Sequence, residues 1–340
     1  MIRTDVLIVG GGPAGAACAW RLKQNNINCL VLDQAAFPRF KPCAGWMTPE
    51  AVRFIGLDPQ EYPHSFTTFD QARVSIRGVQ LTTRGRQHAI RRIEFDDWLL
   101  KRSSAPVQLH TVKTITQDGD GFVVDGEYSA SFLVGAGGTY CPVYRSLFKS
   151  PQSTRTRHAL VAAQEDEFAY PYSDPNMWLW YLEDGLPGYA WYVPKRNGYV
   201  NVGIGGMAEG LKANNDSLKR HWNLLVQKLD RLGLVRGYSY QPSAHSYYLR
   251  QDRTELRKGN AFLVGDAAGL ATSDMGEGIG AGIRSGVLAA DAIAHGTAYQ
   301  VDSVPRYSLG WLLGNLFSRF GLQSVVSAGK EPGSPSAPGS

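Results

Sequence analysis

Apolar runs near the start of the chain predict a strand, a helix and a second strand. Residues 6–9 are all apolar and stop at a glycine, as a buried parallel strand does. Residues 15–22 are predicted to form a helix and residues 28–32 the second strand. This order predicts a βαβ unit, from which parallel sheets are built.

The middle of the chain is dominated by alternating apolar and polar positions. Residues 37–48 contain two prolines and are predicted to form a long loop, and residues 49–55 a short helix. The alternation predicts strands at residues 72–76, 79–83, 107–116, 122–124, 131–134, 159–165, 177–182, 189–193 and 199–204. Helices are predicted at residues 94–101, 217–232 and 278–294, and one more buried strand at residues 261–264.

Both ends of the chain contain a buried predicted strand followed by a predicted helix, and a β-rich stretch separates them. We therefore expect an α/β fold (α+β overall) in which a β-rich domain is inserted into a domain formed by both ends. The first domain is predicted to contain residues 1–70, 88–158 and 251–303, and the β-sheet domain residues 71–87 and 159–250. Residues 304–328 are predicted to be a C-terminal helix, and residues 329–340, mostly Gly, Ser and Pro, a disordered tail.

Composition narrows the function classes. The 340 residues are 43% hydrophobic and 19% charged, typical of a globular protein with a substantial core. A net charge of +5 without a block of like charges does not indicate nucleic acid, although it suits an anionic substrate or membrane surface. The four cysteines and seven histidines show no metal-ligand spacing, so we expect no metal. We expect no signal peptide or membrane span and a cytoplasmic location, with peripheral membrane contact left open.

A glycine-rich turn follows the first predicted strand. It has the GxGxxG spacing, opens the predicted helix, and contains Gly10, Gly12, Pro13, Ala14 and Gly15. In this context the glycines allow a tight turn, close approach of backbone to a pyrophosphate and close packing of helix on strand. The acid Asp33 ends the second strand, where its carboxylate can accept hydrogen bonds from the adenosine ribose, and Gln34 follows it. The sequence therefore predicts a dinucleotide site.

A second strand-and-turn unit near the other end of the chain indicates which dinucleotide. Gly265 and Asp266 follow the strand at residues 261–264, and Gly276, Gly278 and Ile279 lead into the last predicted helix. FAD carries a ribitol and a flavin beyond its pyrophosphate, so it needs a second strand end. Asp266 suits a ribitol hydroxyl, and the N-terminus of the helix near Gly278 can face the flavin N1–C2=O edge. We therefore predict FAD as the cofactor.

Two further features of these segments have separate interpretations. Arg92, just before the predicted helix at residues 94–101, can reach the cofactor phosphates. Gly278, Gly282 and Gly286 recur every four residues and share one helix face, and for Gly282 and Gly286 we expect close helix packing alone.

Together these motifs resemble the glutathione-reductase-type FAD fold, with a Rossmann-like FAD-binding domain, in its p-hydroxybenzoate-hydroxylase-like branch. Two segments are similar to motifs of the geranylgeranyl reductase family: residues 38–45, PRFKPCAG, to PxxKxCGG, and residues 187–205 to YxWxFP…GxG. The resemblance implies that Cys43 lies on a loop over the reactive face of the flavin as a catalytic residue, with Ala44 and Gly45 at the cofactor. It also implies that Tyr189, Trp191 and Pro194 line an apolar groove for an isoprenoid chain.

The chain departs from the family pattern at two places. Ala44 replaces a glycine of the Cys-Gly-Gly loop. Gly137 stands where the wider fold class has the aspartate of a Gly-Ala-Asp-Gly turn, which weakens any inference that the chain uses NAD(P)H directly. The electron donor therefore stays open between NAD(P)H, a ferredoxin and another reductant.

Three functions remain open at this point. The first is reduction of isoprenoid or lipid C=C bonds by hydride transfer from the reduced flavin N5. The second is a flavin-dependent monooxygenase or halogenase acting on an aromatic substrate, because residues 189–194 are near the WxWxIP pattern and Lys41 offers a lysine. The third is a non-catalytic flavin and thiol redox module that uses Cys43 or Cys141.

Overall fold

The computed structural model describes residues 1–150, 155–251 and 255–308. The strands are β1 (Ile2–Val9), β2 (Cys29–Asp33), β3 (Trp46–Met47), β4 (Phe66–Ile76), β5 (Val79–Ile90), β6 (Val107–Leu109), β7 (Ile115–Asp118), β8 (Gly121–Val124), β9 (Tyr128–Gly135), β10 (Leu160–Ala169), β11 (Met177–Tyr181), β12 (Gly188–Lys195), β13 (Tyr199–Met207), β14 (Ser243–Tyr248), β15 (Arg257–Lys258) and β16 (Ala261–Leu263). The α-helices are α1 (Pro13–Gln24), α2 (Pro49–Phe54), α3 (Arg92–Arg102), α4 (Ala208–Ala213), α5 (Leu218–Arg231) and α6 (Ile279–His295).

The first sheet joins the two ends of the chain. Its order is β15-β16-β9-β1-β2-β6, with β7 and β8 attached beside β9, and β16, β9, β1, β2 and β6 run parallel. Helices α1 and α6 pack against each other on this sheet, and their small residues form much of the core there. The carboxyl ends of the four central strands therefore meet at one edge.

The second sheet is built mainly from the middle of the chain. Its order is β14-β10-β13-β12-β11-β4-β5-β3, antiparallel except between β11 and β4. Helix α5 covers one face, where Trp222, Leu225 and Leu229 are buried in the same cluster as Tyr192 and Val202. The other face turns Trp191 and Val193 toward Trp46 and Met275. This second face forms a wall of the site described below.

The mixed α/β fold with two sheets confirms the predicted fold class, and most predicted elements are present with shifted ends. The predicted strand at residues 107–116 is wrong as a single strand, because residues 110–114 turn around the carboxylate of Asp125. This carboxylate accepts hydrogen bonds from His110 Nε2 at 2.7 Å and from the backbone N–H of Thr114 at 2.6 Å. The predicted loop at residues 37–48 contains β3, which pairs with β5, and α4 and β14 were not predicted.

The predicted domain bounds stay a prediction. Strands β4 and β5 extend beyond the predicted segment 71–87 to Phe66 and Ile90, and β3 also joins the second sheet. Residues 304–308 form bends and irregular structure, and the rest of the predicted C-terminal helix and the predicted tail lie outside the described residues. None of the helices in the described ranges combines the length and apolar character of a membrane span.

Candidate active site

A cavity of about 560 Å³ lies between the carboxyl edge of the first sheet and the uncovered face of the second. Most predicted site residues line it: Gly10, Gly12, Pro13, Ala14, Asp33, Gln34, Cys43, Ala44, Arg92, Tyr189, Trp191, Gly265, Asp266, Gly276, Gly278 and Ile279. Gly15, Gly45 and Pro194 do not. The tertiary structure thus brings both predicted halves of the FAD site, and the two family-like segments, to one cavity.

The first glycine turn is tightly packed on one side and open on the other. Gly10 has φ +113°, and a Cβ there would overlap the carbonyl of Ala136 at the end of β9. A Cβ at Gly15 would overlap the carbonyl oxygen of Gly10, so Gly15 acts through packing rather than as a lining residue. Gly12 is the N-cap of α1, and a Cβ there would meet only Arg39 Nη2, at 3.4 Å. The open side offers the helix N-terminus to an anion.

Asp33 holds this turn in place and also borders the cavity. Its carboxylate accepts the backbone N–H of Gly11 at 2.7 Å and that of Ala35 at 2.9 Å. The residue is buried at the end of β2. Each carboxylate oxygen has a second lone pair, so these bonds leave room for ribose hydroxyls.

In the second half of the site, glycines again allow close packing at the edge of the cavity. Gly265 has φ +57° at the end of the strand β16, and Asp266 follows it into the cavity. A Cβ at Gly276 would overlap the hydroxyl of Tyr247 from β14. On α6, a Cβ at Gly286 would overlap the carbonyl of Ala14, as expected for close helix packing. Gly282 faces Ala14 as well, but it also borders the cavity.

The N-terminus of α6 is capped by an acid that the sequence reasoning left without a role. Glu277 Oε1 accepts the backbone N–H of Gly280 at 2.5 Å, and the side chain lines the cavity. Burial raises the pKa of this carboxyl to about 7, although the helix N–H groups act in the opposite direction. The positive end of the helix therefore faces the cavity together with a carboxyl group whose charge changes near neutral pH.

Arg92 is not the free phosphate-binding arginine that was predicted. It is the first residue of α3, and its Nε and Nη2 donate to the two carboxylate oxygens of Asp96 at 2.7 and 2.8 Å. Asp96 is fully buried, so this bidentate pair is a fixed part of the cavity wall. Arg39 lies above Gly12 and 3.6 Å from Asp96. Arg39 is therefore better placed than Arg92 to contact a phosphate. The sequence could have indicated this, because Arg39 lies in the same motif-like segment, residues 38–45, as Cys43.

The Cys43 loop is tied to the second sheet. The Cys43 carbonyl accepts from Asn201 Nδ2 at 3.3 Å, and Asn201 Oδ1 accepts from Trp191 Nε1 at 2.7 Å. The Cys43 thiol accepts the backbone N–H of Gly45 at 3.3 Å, and burial raises its pKa, with Arg92 opposing this. Gly45 has φ +70°, and a Cβ there would overlap the carbonyl of Ile90, so its role is close packing.

The aromatic wall contains Tyr189 and Trp191 but not Pro194. The hydroxyl of Tyr189 donates to the carbonyl of Met275, and Trp191 lies over Gly203 of the neighbouring strand. Because side chains alternate along β12, Pro194 lies on the face of Tyr192, away from the cavity. The inclusion of Pro194 among the substrate residues is therefore corrected: it is a strand residue on the opposite side of the sheet.

Sequence reasoning missed three side chains of this wall: Glu165 on β10, and His245 and Tyr247 on β14. Ala163 pairs with His245, so Glu165 and His245 lie on the same face of adjacent strands. Among the described residues, neither carboxyl oxygen of Glu165 nor Nδ1 of His245 has a hydrogen-bond partner. The sequence could have indicated Glu165 only as a charged residue within a predicted strand. His245 and Tyr247 lie on β14, which was not predicted.

The missing aspartate of the Gly135–Gly138 turn has a local explanation. A Cβ at Gly137 would lie 3.2 Å from Cα and 3.4 Å from Sγ of Cys141. The turn is thus packed against the next segment, and a larger side chain would require the two to separate.

Comparison with known proteins decides the family. The model of the FAD binding domain family matches residues 3–299. The chain belongs to the FAD binding domain family.

This FAD-binding protein has relatives that are named as reductases. It is 31% identical over 314 residues to an uncharacterized protein from Methanosarcina barkeri, with 86% of this chain and 75% of that protein covered. It is 29% identical over 326 residues to the menaquinone reductase of Mycobacterium tuberculosis, covering 85% and 76%. It is 24% identical over 316 residues to digeranylgeranylglycerophospholipid reductase 1 of Methanosphaera stadtmanae, covering 86% and 76%.

Solved structures share the fold. A geranylgeranyl bacteriochlorophyll reductase-like protein from Thermoplasma acidophilum superposes with a TM-score of 0.77 at 18% identity, covering 97% of this chain and 89% of that one. A flavin-dependent brominase superposes with a TM-score of 0.70 at 18% identity, covering 96% and 88%. The FAD-binding protein is thus an FAD-dependent oxidoreductase whose relatives include geranylgeranyl reductases.

The residues present fit FAD. The Gly10 turn carries no side chain at Gly10 or Gly12, Asp33 would hold the ribose, and Gly265 and Asp266 lie at the second strand end, all around one cavity. Bound FAD supplies the two-electron chemistry, and the cavity-facing side chains of the second sheet supply the surroundings in which it acts.

Proposed function

We propose that the protein reduces a C=C bond of an isoprenoid or other polyprenyl lipid. The observation that carries this proposal is the wall of the cavity opposite the FAD-binding turns. That wall is made of Trp46, Tyr189, Trp191, Tyr247 and Met275. Aromatic and thioether groups suit a polyene chain that offers no hydrogen bonds. The names of the relatives, menaquinone reductase and digeranylgeranylglycerophospholipid reductase, support the same substrate class.

In this function the protein's own residues bind and orient the chain. Tyr189 and Trp191 offer ring faces, and the hydroxyl of Tyr189 and the indole N–H of Trp191 are both already bonded within the protein. These rings therefore present an apolar surface that excludes water. Reduced FAD would supply the hydride when it is bound, and the second carbon of the C=C bond needs one proton from an acid.

Anaerobic stopped-flow absorbance tests the proposal. The FAD-loaded protein is reduced and mixed, without oxygen, with digeranylgeranylglycerol phosphate in detergent micelles. We expect the oxidised-flavin bands to return at a rate that depends on lipid concentration, with a product two hydrogens heavier. The fully saturated lipid is the matched control, because it can bind but cannot accept the hydride. Equal flavin reoxidation with both lipids, or with neither, would contradict the proposal.

A monooxygenase or halogenase is the second candidate function. One observation favours it: Lys41 lines the same cavity as the aromatic wall, in a fold shared with a flavin-dependent brominase. Against it, residues 189–194 carry Tyr and Val where the WxWxIP pattern has Trp and Ile. Oxygen consumption coupled to a hydroxylated or brominated aromatic product would establish this function in place of alkene reduction.

The thiol redox module has the least support. Burial raises the pKa of Cys43 and of Cys141, whereas redox-active cysteines have lowered pKa values and solvent access. Cys141 is fully buried. Such thiols stay protonated at neutral pH and react slowly with oxidants.

A further inference from the structure

Glu165, on β10, is a buried carboxyl group that faces the cavity without a partner. The residue is 1% exposed, and within the described ranges neither of its oxygens has a hydrogen bond. It borders the cavity beside Trp191. Burying a polar group without a hydrogen bond is destabilising, so native proteins rarely leave one in place without a use.

The second sheet brings Glu165 directly to the aromatic wall. Gly203 of β13 pairs with Glu165 on one side and with Trp191 on the other. A Cβ at Gly203 would lie 2.7 Å from Cβ of Glu165 and would overlap the indole ring of Trp191. The absence of a side chain at this position lets the indole lie on the strand and places the carboxyl group beside it.

Burial and the neighbouring charges act in opposite directions on the pKa of Glu165. Burial raises its pKa to about 8, and Glu167 adds to this, while Lys195, Lys41 and Arg92 oppose it. Cys43 and Tyr247 also face it. Lys195 is ion-paired with Glu167, and Arg92 with Asp96, so within the described residues these cations favour the Glu165 carboxylate through space, without a hydrogen bond to it.

Other titratable groups of the cavity are less suited to give up a proton. The pKa of the Cys43 thiol is raised by burial, and the Glu277 carboxyl lies at the N-terminus of α6 rather than on the second sheet beside Trp191. The pKa of His245 is lowered to about 3 by burial and by Lys41 and Arg92, so its imidazole is neutral and carries no spare proton at neutral pH.

We propose that Glu165 is the acid that protonates the substrate carbon during alkene reduction. The π bond breaks and two C–H bonds form: reduced FAD gives a hydride to one carbon and is oxidised, and the Glu165 O–H gives its proton to the other. The carboxylate left behind is stabilised by Lys195, Lys41 and Arg92 and takes a proton back from solvent. This assignment rests on the alkene-reductase function proposed above.

Single-turnover kinetics of Glu165→Gln test the assignment, with digeranylgeranylglycerol phosphate as the probe. General acids contribute about 10²–10⁴-fold, so we expect flavin reoxidation by the lipid to slow at least ~100-fold at neutral pH. The wild-type rate should fall as pH rises through about 8, where Glu165 loses its proton. The residual rate of Glu165→Gln should lack this alkaline limb. Infrared spectra of the oxidised protein, without substrate, should show a protonated carboxyl band that is lost over the same pH range and is missing in Glu165→Gln.

Matched variants separate the possible failures. Gln164→Ala changes the preceding residue, on the other face of β10, and should keep the wild-type rate and pH profile. Where Glu165→Gln does not bind FAD, Glu165→Asp decides: a slower rate with the alkaline limb retained supports the assignment, and a pH-independent rate overturns it. If wild-type flavin is reoxidised by the lipid and Glu165→Gln matches it, Glu165 is not the acid although the reductase function stands. If the wild type is not reoxidised by any polyprenyl lipid, the proposed function itself fails.

Discussion

The two walls of the cavity are built in different ways. The carboxyl edge of the first sheet is made of backbone: Gly10 and Gly265 have positive φ, and Gly15 allows a helix to touch a turn. The uncovered face of the second sheet is made of side chains, such as Glu165 and Trp191, on strands far apart in sequence. The first wall is suited to FAD, and in the function proposed above the second wall contacts the substrate. Substitutions should therefore separate cofactor binding from substrate chemistry.

The largest effect is expected at Gly15. Gly15→Ala places a Cβ on the carbonyl of Gly10, and relief of such overpacking costs about 1–3 kcal/mol or more. The thermal midpoint of the apoprotein should fall by several degrees and FAD should be lost on purification. Gly12→Ala is the matched control: its Cβ meets only the Arg39 guanidinium, so the apoprotein midpoint should be unchanged while FAD affinity falls at least ~10-fold. Equal apoprotein midpoints for both variants would contradict the backbone account of this wall.

Stability should depend on pH through the two buried acids. Burial raises the folded-state pKa of Glu165 to about 8 and of Glu277 to about 7, above the ordinary value of 4.5. Between about pH 4.5 and pH 8 the folded state therefore binds more protons than the unfolded state. The stability that the two acids contribute is complete below about pH 4.5 and is lost as pH rises through the folded-state pKa values of about 7 and about 8.

Urea unfolding of the apoprotein between pH 5 and 8 measures this dependence. Each acid should lower the free energy of unfolding by up to ~1.4 kcal/mol per pH unit. Glu165→Gln and Glu277→Gln should each flatten the curve, the first over the wider range. Burial also lowers the pKa of His245 from 6.5 to about 3, which makes the free energy of unfolding rise with pH below about pH 6.5. The test is therefore the difference between the wild type and each variant, and a pH dependence that neither variant changes would show that these acids are ionised in the folded protein.

A smaller effect separates two glycines on the second sheet. Gly203→Ala should displace the Trp191 indole and cost about 1–3 kcal/mol, because a Cβ there overlaps the ring. Gly205→Ala, two residues along β13, meets Trp191 only at 3.6 Å and should be tolerated. Tryptophan fluorescence and the KM for lipid should change in the first variant, with FAD affinity the same in both. A large loss of FAD in Gly203→Ala alone would mean that the two walls are not independent.

The smallest effect concerns the thiol of Cys43. Because burial raises its pKa, alkylation by iodoacetamide near pH 8 should be at least ~10-fold slower than at an exposed cysteine. Tyr140→Cys supplies that reference, since Tyr140 is 71% exposed. Peptide mass spectrometry resolves the two sites in one sample. Alkylation of Cys43 at a rate equal to or above that of the cysteine introduced in Tyr140→Cys would instead support the function as a thiol redox module.

The sequence by itself determined the cofactor wall. A turn with positive φ, a strand end and a helix N-terminus are local structures, and they require glycines and an acidic residue at fixed spacings in the sequence. Gly10, Asp33, Gly265 and Asp266 were all predicted and all line the cavity. Only the tertiary structure decided the other wall. Pairing of β10 with β13 and β14 brought Glu165 beside Trp191 and placed His245 on the same face of the sheet as Glu165. Strand register joins residues across long sequence separations, and no local pattern records which partner each side chain meets.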